Sequence, residues 1–162
     1  MMRNLTATAL VVVMMGLAAA GCGRGHEAAR ALPPEAAKAL LINRSWVDRL
    51  PQTVDDQLHV FRFTPQMGGG IYQDRTLFAG SFELFLFQAD GKEIRFELVH
   101  KGQKKRCAYR IEELAEKGPE GVDLKLTIDG SPRGPSVYYS WKKNPAGELD
   151  ATLQHAVSAA AR

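Results

Sequence analysis

The segment Ser81–His100, SFELFLFQADGKEIRFELVH, contains two predicted β-strands joined by a tight turn. Its second half, Glu93–His100, alternates apolar and polar residues, which is typical of a strand with one buried face. Its first half, Ser81–Gln88, is apolar on both faces. Asp90-Gly91 lies between the two halves and is a strong signal for a hairpin turn. The segment therefore predicts an antiparallel β-hairpin.

Similar strand patterns recur along the chain at a spacing of roughly 12 residues, which is typical of an all-β sandwich or barrel. Short connections without helical patterns favour antiparallel pairing between strands that are neighbours in the chain. We therefore predict an all-β fold, an antiparallel up-and-down barrel of about eight strands, with a two-sheet sandwich as the alternative. The eight predicted strands are Ser45–Leu50, His59–Thr64, Gly70–Phe78, Ser81–Gln88, Glu93–His100, Lys105–Glu113, Gly121–Ile128 and Ser136–Lys142.

The predicted barrel domain covers residues 35–148; it begins with a helical pattern, and a second helical pattern follows it. Pro33-Pro34 precedes Glu35–Ile42, a segment that suits a short N-terminal helix with proline at its first turn. At the other end, Leu149–Arg162 carries apolar residues at helical spacing. This last segment is predicted to form a C-terminal helix or a tail.

The N-terminus has the layout of a secretory signal. A polar start leads into the apolar run Ala9–Ala20, which is too short to cross a bilayer, since a spanning helix needs about 20 residues. The segment Ala19-Ala20-Gly21-Cys22 resembles a bacterial lipobox. The resemblance implies cleavage after Gly21, a diacylglyceryl thioether on Cys22 and a further acyl chain, such as palmitate, on its amino group. An ordinary signal peptide with an incidental cysteine is the alternative.

A chain processed in this way is held at a membrane surface by lipid. Residues 1–21 are then the signal peptide and residues 22–34 a lipidated tether, because this polar stretch has no strand pattern. Stable anchoring needs more than one acyl chain, which the modified Cys22 would supply. In Gram-negative lipoproteins, aspartate after the cysteine favours the inner membrane. The residue here is Gly23, so the resemblance implies a periplasm-facing protein of the cell envelope, with the outer membrane favoured.

The region 43–143 also resembles the lipocalin-like, or calycin, barrels. The similarity rests on Trp46 in the first strand after a short helix, on the meander of strands, and on a last strand that ends in Trp141-Lys142-Lys143. The family's glycine two residues before the tryptophan is Arg44 in this chain. The resemblance implies a cavity that binds a small hydrophobic ligand, and alternation selects the side chains predicted to line it. They are Phe61, Phe63, Phe96, Leu98, Tyr109 and Leu126.

The composition argues against several other classes of protein. A net charge of +3 is too small for a nucleic-acid-binding face. Two cysteines cannot form a four-cysteine zinc site, and the four histidines lack the spacing of a metal site, so no metal or cofactor is predicted. There is no Gly-x-Ser-x-Gly turn, and Cys107 is predicted to pack in the core, where free cysteines are commonly found. No catalytic residue is therefore assigned.

Two features direct attention to the outer surface. Phe82, Phe85 and Phe87 make their strand apolar on both faces, so either a helix covers the outer face or that face binds a partner. The basic cluster in residues 101–106, KGQKKR, suits anionic lipid headgroups or an acidic partner. It also suits a solvated hairpin that resists edge pairing.

The leading hypothesis from the sequence is a non-enzymatic, membrane-anchored lipoprotein whose barrel binds a small hydrophobic ligand. The alternative is an envelope protein–protein interaction module with a filled barrel core, whose protein partner the sequence does not identify. An enzyme is the third hypothesis, and no motif supports it.

Overall fold

The structure is a computed structural model that describes residues 29–143 and positions 151, 154 and 158. Within this part, nine strands and one α-helix form the fold. In chain order they are β1 (Arg30–Ala31), α1 (Pro34–Leu41), β2 (Ser45–Val47), β3 (Leu58–Thr64), β4 (Gly69–Arg75), β5 (Gly80–Ala89), β6 (Glu93–Leu98), β7 (Gln103–Glu113), β8 (Leu124–Ile128) and β9 (Val137–Ser140).

Strands β2 to β9 form a closed antiparallel barrel. Each of these strands pairs with the next one in the chain, and β9 returns to pair with β2 through Val47 and Tyr139. This closure confirms the predicted up-and-down barrel of eight strands, because a sandwich would leave the first and last strands unpaired with each other. All eight predicted strands are present. The first is shorter than predicted and ends at Val47 rather than at Leu50.

The predicted turn at Asp90-Gly91 joins β5 to β6. Gly91 has a φ of 92°, which favours glycine, and the carboxylate of Asp90 accepts hydrogen bonds from the backbone N–H groups of Lys92 (3.0 Å) and Glu93 (2.9 Å). These bonds favour the charged form and hold the pKa of Asp90 below its usual value. A Cβ atom on Gly91 would lie 2.4 Å from the carbonyl oxygen of Pro34. The turn therefore packs directly against the start of α1.

Helix α1 closes this end of the barrel. Its predicted position, Glu35–Ile42, is confirmed to within one residue at each end. Ala37 and Leu41 are buried in the interior cluster, and the indole Nε1 of Trp46 donates a hydrogen bond to the carbonyl oxygen of Leu41 (3.0 Å). The first-strand tryptophan thus ties the end of the helix to the barrel wall.

The short strand β1 was not predicted. The sequence predicts a tether over residues 22–34, but Arg30 and Ala31 pair with Glu113 and Glu112 at the end of β7. The backbone N–H of Leu32 continues this pairing with the carbonyl oxygen of Ile111 (2.9 Å). Two residues are too few to show a period of two, and their pairing uses backbone groups alone. The last part of the predicted tether is therefore paired with the barrel.

Other predicted segments lie outside the described residues, including the signal peptide (residues 1–21) and the lipidated Cys22. In the predicted C-terminal helix, Ala151, Gln154 and Ser158 are described; all three are helical and exposed. The hydroxyl of Ser158 donates a hydrogen bond to the carbonyl oxygen of Gln154 (2.9 Å). Over the described residues, we find no helix with the length and hydrophobicity that a membrane span requires.

Candidate functional site

Aromatic side chains occupy the interior of the barrel. The six residues predicted to line a ligand cavity all belong to one buried cluster, and each is at most 6% exposed. Phe61 lies at its centre. Its ring centroid is 5.0–5.9 Å from those of five other rings, which is the distance of direct aromatic contact. These rings belong to Phe63, Tyr72, Phe85, Phe96 and Tyr138.

This packing places the predicted lining residues against one another. Phe63 contacts Phe85, Phe87 and Phe96, with centroids 5.1–6.2 Å apart, so the aromatic contacts continue from Phe61 toward α1. Well-packed interiors contain few voids larger than a water molecule. The aromatic side chains therefore fill the space in which a ligand would bind.

The loop of residues 129–136, between β8 and β9, closes the other end of the barrel. Arg133 reaches across to Glu83 near the start of β5, with nitrogen–oxygen distances of 2.6 and 2.9 Å in a two-pronged ion pair. The hydroxyl of Tyr138 donates a hydrogen bond to the carbonyl oxygen of Arg133 (3.2 Å). Gly134 has a φ of 61°, and a Cβ atom there would lie only 2.7 Å from the hydroxyl oxygen of Tyr138. The loop thus fits closely over the mouth of the barrel.

The ion pair between Arg133 and Glu83 is partly buried, with each side chain 19% exposed. Its hydrogen bonds hold the pKa of Glu83 below the usual value and raise the pKa of Arg133. Because the folded-state pKa of Glu83 is depressed, its stabilising effect is present above the ordinary glutamate pKa and is lost as the pH falls through the folded-state value. This ion pair between Arg133 and Glu83, here called the latch, therefore stabilises the fold in neutral rather than in acidic solution.

Replacing Glu83 with glutamine should lower the free energy of unfolding by about 1–2 kcal/mol at pH 7, because a charge-assisted two-pronged bond becomes a neutral one. Urea unfolding at pH 7 and pH 3 measures this, and the difference from the unmodified protein should shrink at pH 3. Glu97→Gln is the matched control, since its pair with Lys104 is much more exposed and surface pairs contribute about 0–1 kcal/mol. Equal losses for the two variants would contradict the latch.

A cluster of polar side chains around His59 lies near the end of the barrel that the loop of residues 129–136 covers. The backbone N–H of His59 donates to the carboxylate of Asp48 (2.7 Å), and its Nδ1 lies 2.9 Å from the second oxygen of that carboxylate. Its Nε2 lies 3.6 Å from Asp74, which also accepts a hydrogen bond from the side-chain amide of Gln57. The imidazole ring stacks on Tyr72 with centroids 6.1 Å apart. These contacts orient the histidine well.

An oriented histidine can act as a base, but catalysis by this route also needs a nucleophile beside it. The polar contacts of His59 described here are to carboxylates, and none is to a hydroxyl or a thiol. Among residues 29–143, we find no group of three or more His, Cys, Asp or Glu side chains that could hold a metal ion. His59, Asp48, Asp74 and Gln57 thus form a hydrogen-bond network at the barrel mouth.

Cys107 packs in the core, as predicted. It is 1% exposed, and its Sγ donates a hydrogen bond to the carbonyl oxygen of Gly130 (3.3 Å). Burial raises the pKa of its thiol, and burial likewise raises the pKa of Tyr72 and of Tyr109 to about 12. A reactive cysteine needs a lowered pKa and solvent access. The environment of Cys107 therefore favours the unreactive thiol.

The outer surface carries a row of exposed apolar side chains, here called the β5 face. Phe82, Leu84 and Leu86 alternate along β5 and point outward, with Phe82 72% exposed. Phe85 and Phe87 occupy the intervening positions and point into the barrel. The sequence analysis grouped Phe82 with these two residues, whereas the structure separates them. The β5 face consists of Met67, Phe78, Phe82, Leu84, Leu86 and Val99.

Two shallow grooves connect these side chains. One, of about 300 Å³, is bordered by Met67, Leu84, Leu86 and Val99. A smaller one, of about 150 Å³, lies between Phe78 and Phe82. The period of two across residues 82, 84 and 86 was the signal that could have identified this face from the sequence. It was obscured because the intervening residues are also apolar.

On another part of the barrel wall, the outward-facing apolar residues are buried. Val47, Val60 and Trp141 belong to a second cluster, which also contains Leu58 and Val122, and all five are at most 4% exposed. Val47 follows the interior residue Trp46, and Val60 precedes the interior residue Phe61. Because neighbours in a strand face opposite sides, both valines point to the outer side of the sheet. The β5 face thus differs from the wall formed by β2, β3 and β9, where outward apolar side chains are buried.

Basic side chains border the β5 face on the strands beside it. Arg95 on β6 lies directly opposite Arg106 on β7, and both are exposed. Like charges in directly opposite positions repel each other. Together with Lys104 and Leu86, they border an open groove of about 630 Å³. Part of the predicted basic cluster thus lies next to the apolar surface. Lys104 and Arg106 pair there with Glu97 (3.3 Å) and Glu93 (3.6 Å).

Comparisons with protein-family models, curated proteins and solved structures gave no match for this chain.

Proposed function

We propose that this protein is a lipid-anchored, non-enzymatic protein of the bacterial cell envelope that acts by binding through the outside of a filled barrel. Of the two hypotheses from the sequence, the interaction module therefore fits the geometry better than the carrier of a small hydrophobic ligand. The proposal includes acylation of Cys22 and a position on the periplasmic side of the membrane, with the outer membrane favoured.

The filled interior is the observation that carries this proposal. A carrier needs a cavity, and typical sites for small molecules have volumes of about 300–1,000 Å³ lined by apolar side chains. Here the six side chains that would line it are buried against one another. Helix α1 covers one end and the latched loop of residues 129–136 covers the other. Both features support a rigid scaffold that presents its outer surface.

The anchor rests on the sequence of the N-terminus. Cys22 precedes Arg30, the first residue of β1, by eight positions. This short polar connection would keep the barrel close to the lipid, and it suits a protein whose partners are found at the membrane. The absence of an enzyme motif in the sequence agrees with a binding role.

Mass spectrometry of organic extracts tests the filled core. Residues 23–162 contain every described strand and lack the anchor, so any extracted lipid would come from the barrel. We expect no apolar molecule at stoichiometric amounts and no binding of a fluorescent fatty-acid probe. Phe61→Ala serves as a positive control, because an engineered apolar cavity can bind small apolar molecules. A stoichiometric lipid that is extracted from the unmodified domain, and also from a variant with Phe82→Ser and Leu84→Ser, would overturn the proposal in favour of the ligand carrier.

A further inference from the structure

We propose that the β5 face rests on anionic lipid headgroups of the membrane that holds the anchor, so that the barrel lies on its side. The inference rests on the proposed acylation of Cys22 and goes beyond it, because it assigns a surface and an orientation. The occupant is a phospholipid surface with anionic phosphate groups. Three observations carry the inference: the exposed apolar side chains, the charge beside them and the position of the tether.

The apolar side chains are suited to an interface between lipid and water. Phe78 and Phe82 are 73% and 72% exposed at the end of the barrel where β4 turns into β5. Leu84 and Leu86 continue the row along β5, and Val99 lies beside it. A continuous exposed patch of this kind on a soluble domain marks a site of protein or membrane interaction. Its aromatic tip and aliphatic row would enter the boundary between headgroups and acyl chains.

The charge distribution favours the membrane over an apolar protein partner. Residues 93–106, which follow β5 in the sheet, contain five Lys or Arg residues and two Glu residues. Three of the basic residues, Arg95, Lys104 and Arg106, occupy outward positions beside the β5 face. Glu97 and Glu93 on β6 pair with Lys104 and Arg106, at 3.3 and 3.6 Å. Arg95 lies directly opposite Arg106, whose Nε is 3.6 Å from Glu93, and a phosphate bound beside the two arginines would supply Arg95 with an opposite charge. Basic residues next to an apolar patch are the usual recognition elements for anionic lipid.

Strand β1, the part of the predicted tether that pairs with the barrel, lies on the side of β7 that faces β6 and β5. Glu112 and Glu113 of β7 pair with β8 along one edge of the strand and with β1 along the other. The edge that pairs with β1 is the one that pairs with β6 over the first part of β7. Strands lie about 4.8 Å apart, which places β5 roughly 10 Å around the wall from β7. Eight residues reach at most about 28 Å. This reach would allow a lipidated Cys22 to enter a bilayer that contacts the β5 face.

The test uses the intact lipidated protein in vesicles of phosphatidylcholine and phosphatidylglycerol. Gln73→Cys receives an environment-sensitive fluorophore, because Gln73 pairs with Phe82 and its replacement leaves the β5 face unchanged. Ser136→Cys is the matched control, since it is exposed and lies next to β9, four strands from β5. Cys107 is buried and should stay unlabelled. We expect a several-fold weaker quenching by aqueous iodide at position 73 than at position 136, together with a blue-shifted emission.

Two further variants test whether the apolar and the basic side chains of this surface each contribute to the protection of position 73 from iodide. Phe82→Ser with Leu84→Ser should bring quenching at position 73 up to the level at position 136. Arg95→Glu with Arg106→Glu should do so in anionic vesicles, whereas Arg49→Glu, a charge change near β2, should not. Salt should weaken the protection in the unmodified protein, because ions screen charges at a surface.

Equal quenching at positions 73 and 136 in protein that floats with the vesicles would overturn the inference and leave the anchor intact. Protein that fails to float would contradict the anchor, and the inference would fall with it. Protection at position 73 in the unanchored domain of residues 23–162, in buffer without vesicles or detergent, would indicate that a second protein covers the face and would also overturn the inference.

Discussion

Replacing Phe61 with alanine should lower the free energy of unfolding by about 3–5 kcal/mol. The side chain is 1% exposed and contacts five other aromatic rings, so its removal leaves a cavity that closed barrel walls cannot collapse to fill. Folded domains have total stabilities of about 5–15 kcal/mol, which makes this loss a large part of the whole. Urea unfolding followed by tryptophan fluorescence measures it directly, because Trp46 is in the same cluster.

Phe82→Ala provides the matched control. It removes the same side chain from the next strand but one, where the ring is 72% exposed. Surface substitutions usually change stability by no more than about 0.5 kcal/mol. A loss at Phe61 as small as that at Phe82 would mean that the interior is loosely packed or hollow. The comparison therefore also bears on the choice between a filled barrel and a ligand carrier.

Alternation in the sequence was sufficient to predict this interior. The residues Phe61, Phe63, Phe96, Leu98 and Leu126 were assigned to the inner face from a period of two, and all are buried there. The assignment succeeds because a strand offers only two faces, and the charged residues of β3, β6 and β8 occupy the other one. Fold class and inward orientation follow from local pattern alone.

Whether the barrel is hollow could not be predicted in the same way. Alternation says which side chains point inward, but the free volume between them depends on how rings from different strands fit together. Phe85 illustrates the difficulty, since it contacts Phe61, Phe63 and Phe96 from two other strands. The latch between Glu83 and Arg133 joins residues 50 positions apart and has no local signal either. Both features arise from barrel closure.

The β5 face shows a different limit of the sequence. A strand that is apolar on both faces usually indicates burial on both sides, and the sequence analysis weighed a covering helix against a partner. The structure leaves Phe82 and Leu84 exposed, whereas Val47 and Val60 on the far wall are buried. Local pattern cannot distinguish these two cases, because burial of the outer side depends on which other segment packs over it.

Replacing Cys22 with serine should abolish acylation of the protein. The thioether forms on the sulfur, so serine removes the attachment point while changing little else in the chain. Each buried methylene of an acyl chain contributes about 0.8 kcal/mol to membrane binding, and two or more chains are needed for stable anchoring. Loss of the anchor should therefore lower membrane partitioning by orders of magnitude. Metabolic labelling with a clickable palmitate analogue is the direct measurement, and the Cys22→Ser protein should carry no label.

The chain supplies its own control, because it has two cysteines. Cys107→Ala should keep the full label, since Cys107 is buried inside the barrel and lies far from the N-terminus in sequence. Cell fractionation needs one further step: an uncleaved apolar signal could itself hold the protein at the membrane. The serine variant is therefore also expressed behind an ordinary secretory signal, and it should then be found in the soluble periplasmic fraction. Label that persists in Cys22→Ser, or that is lost only in Cys107→Ala, would rule out Cys22 as the anchor and the membrane orientation that depends on it.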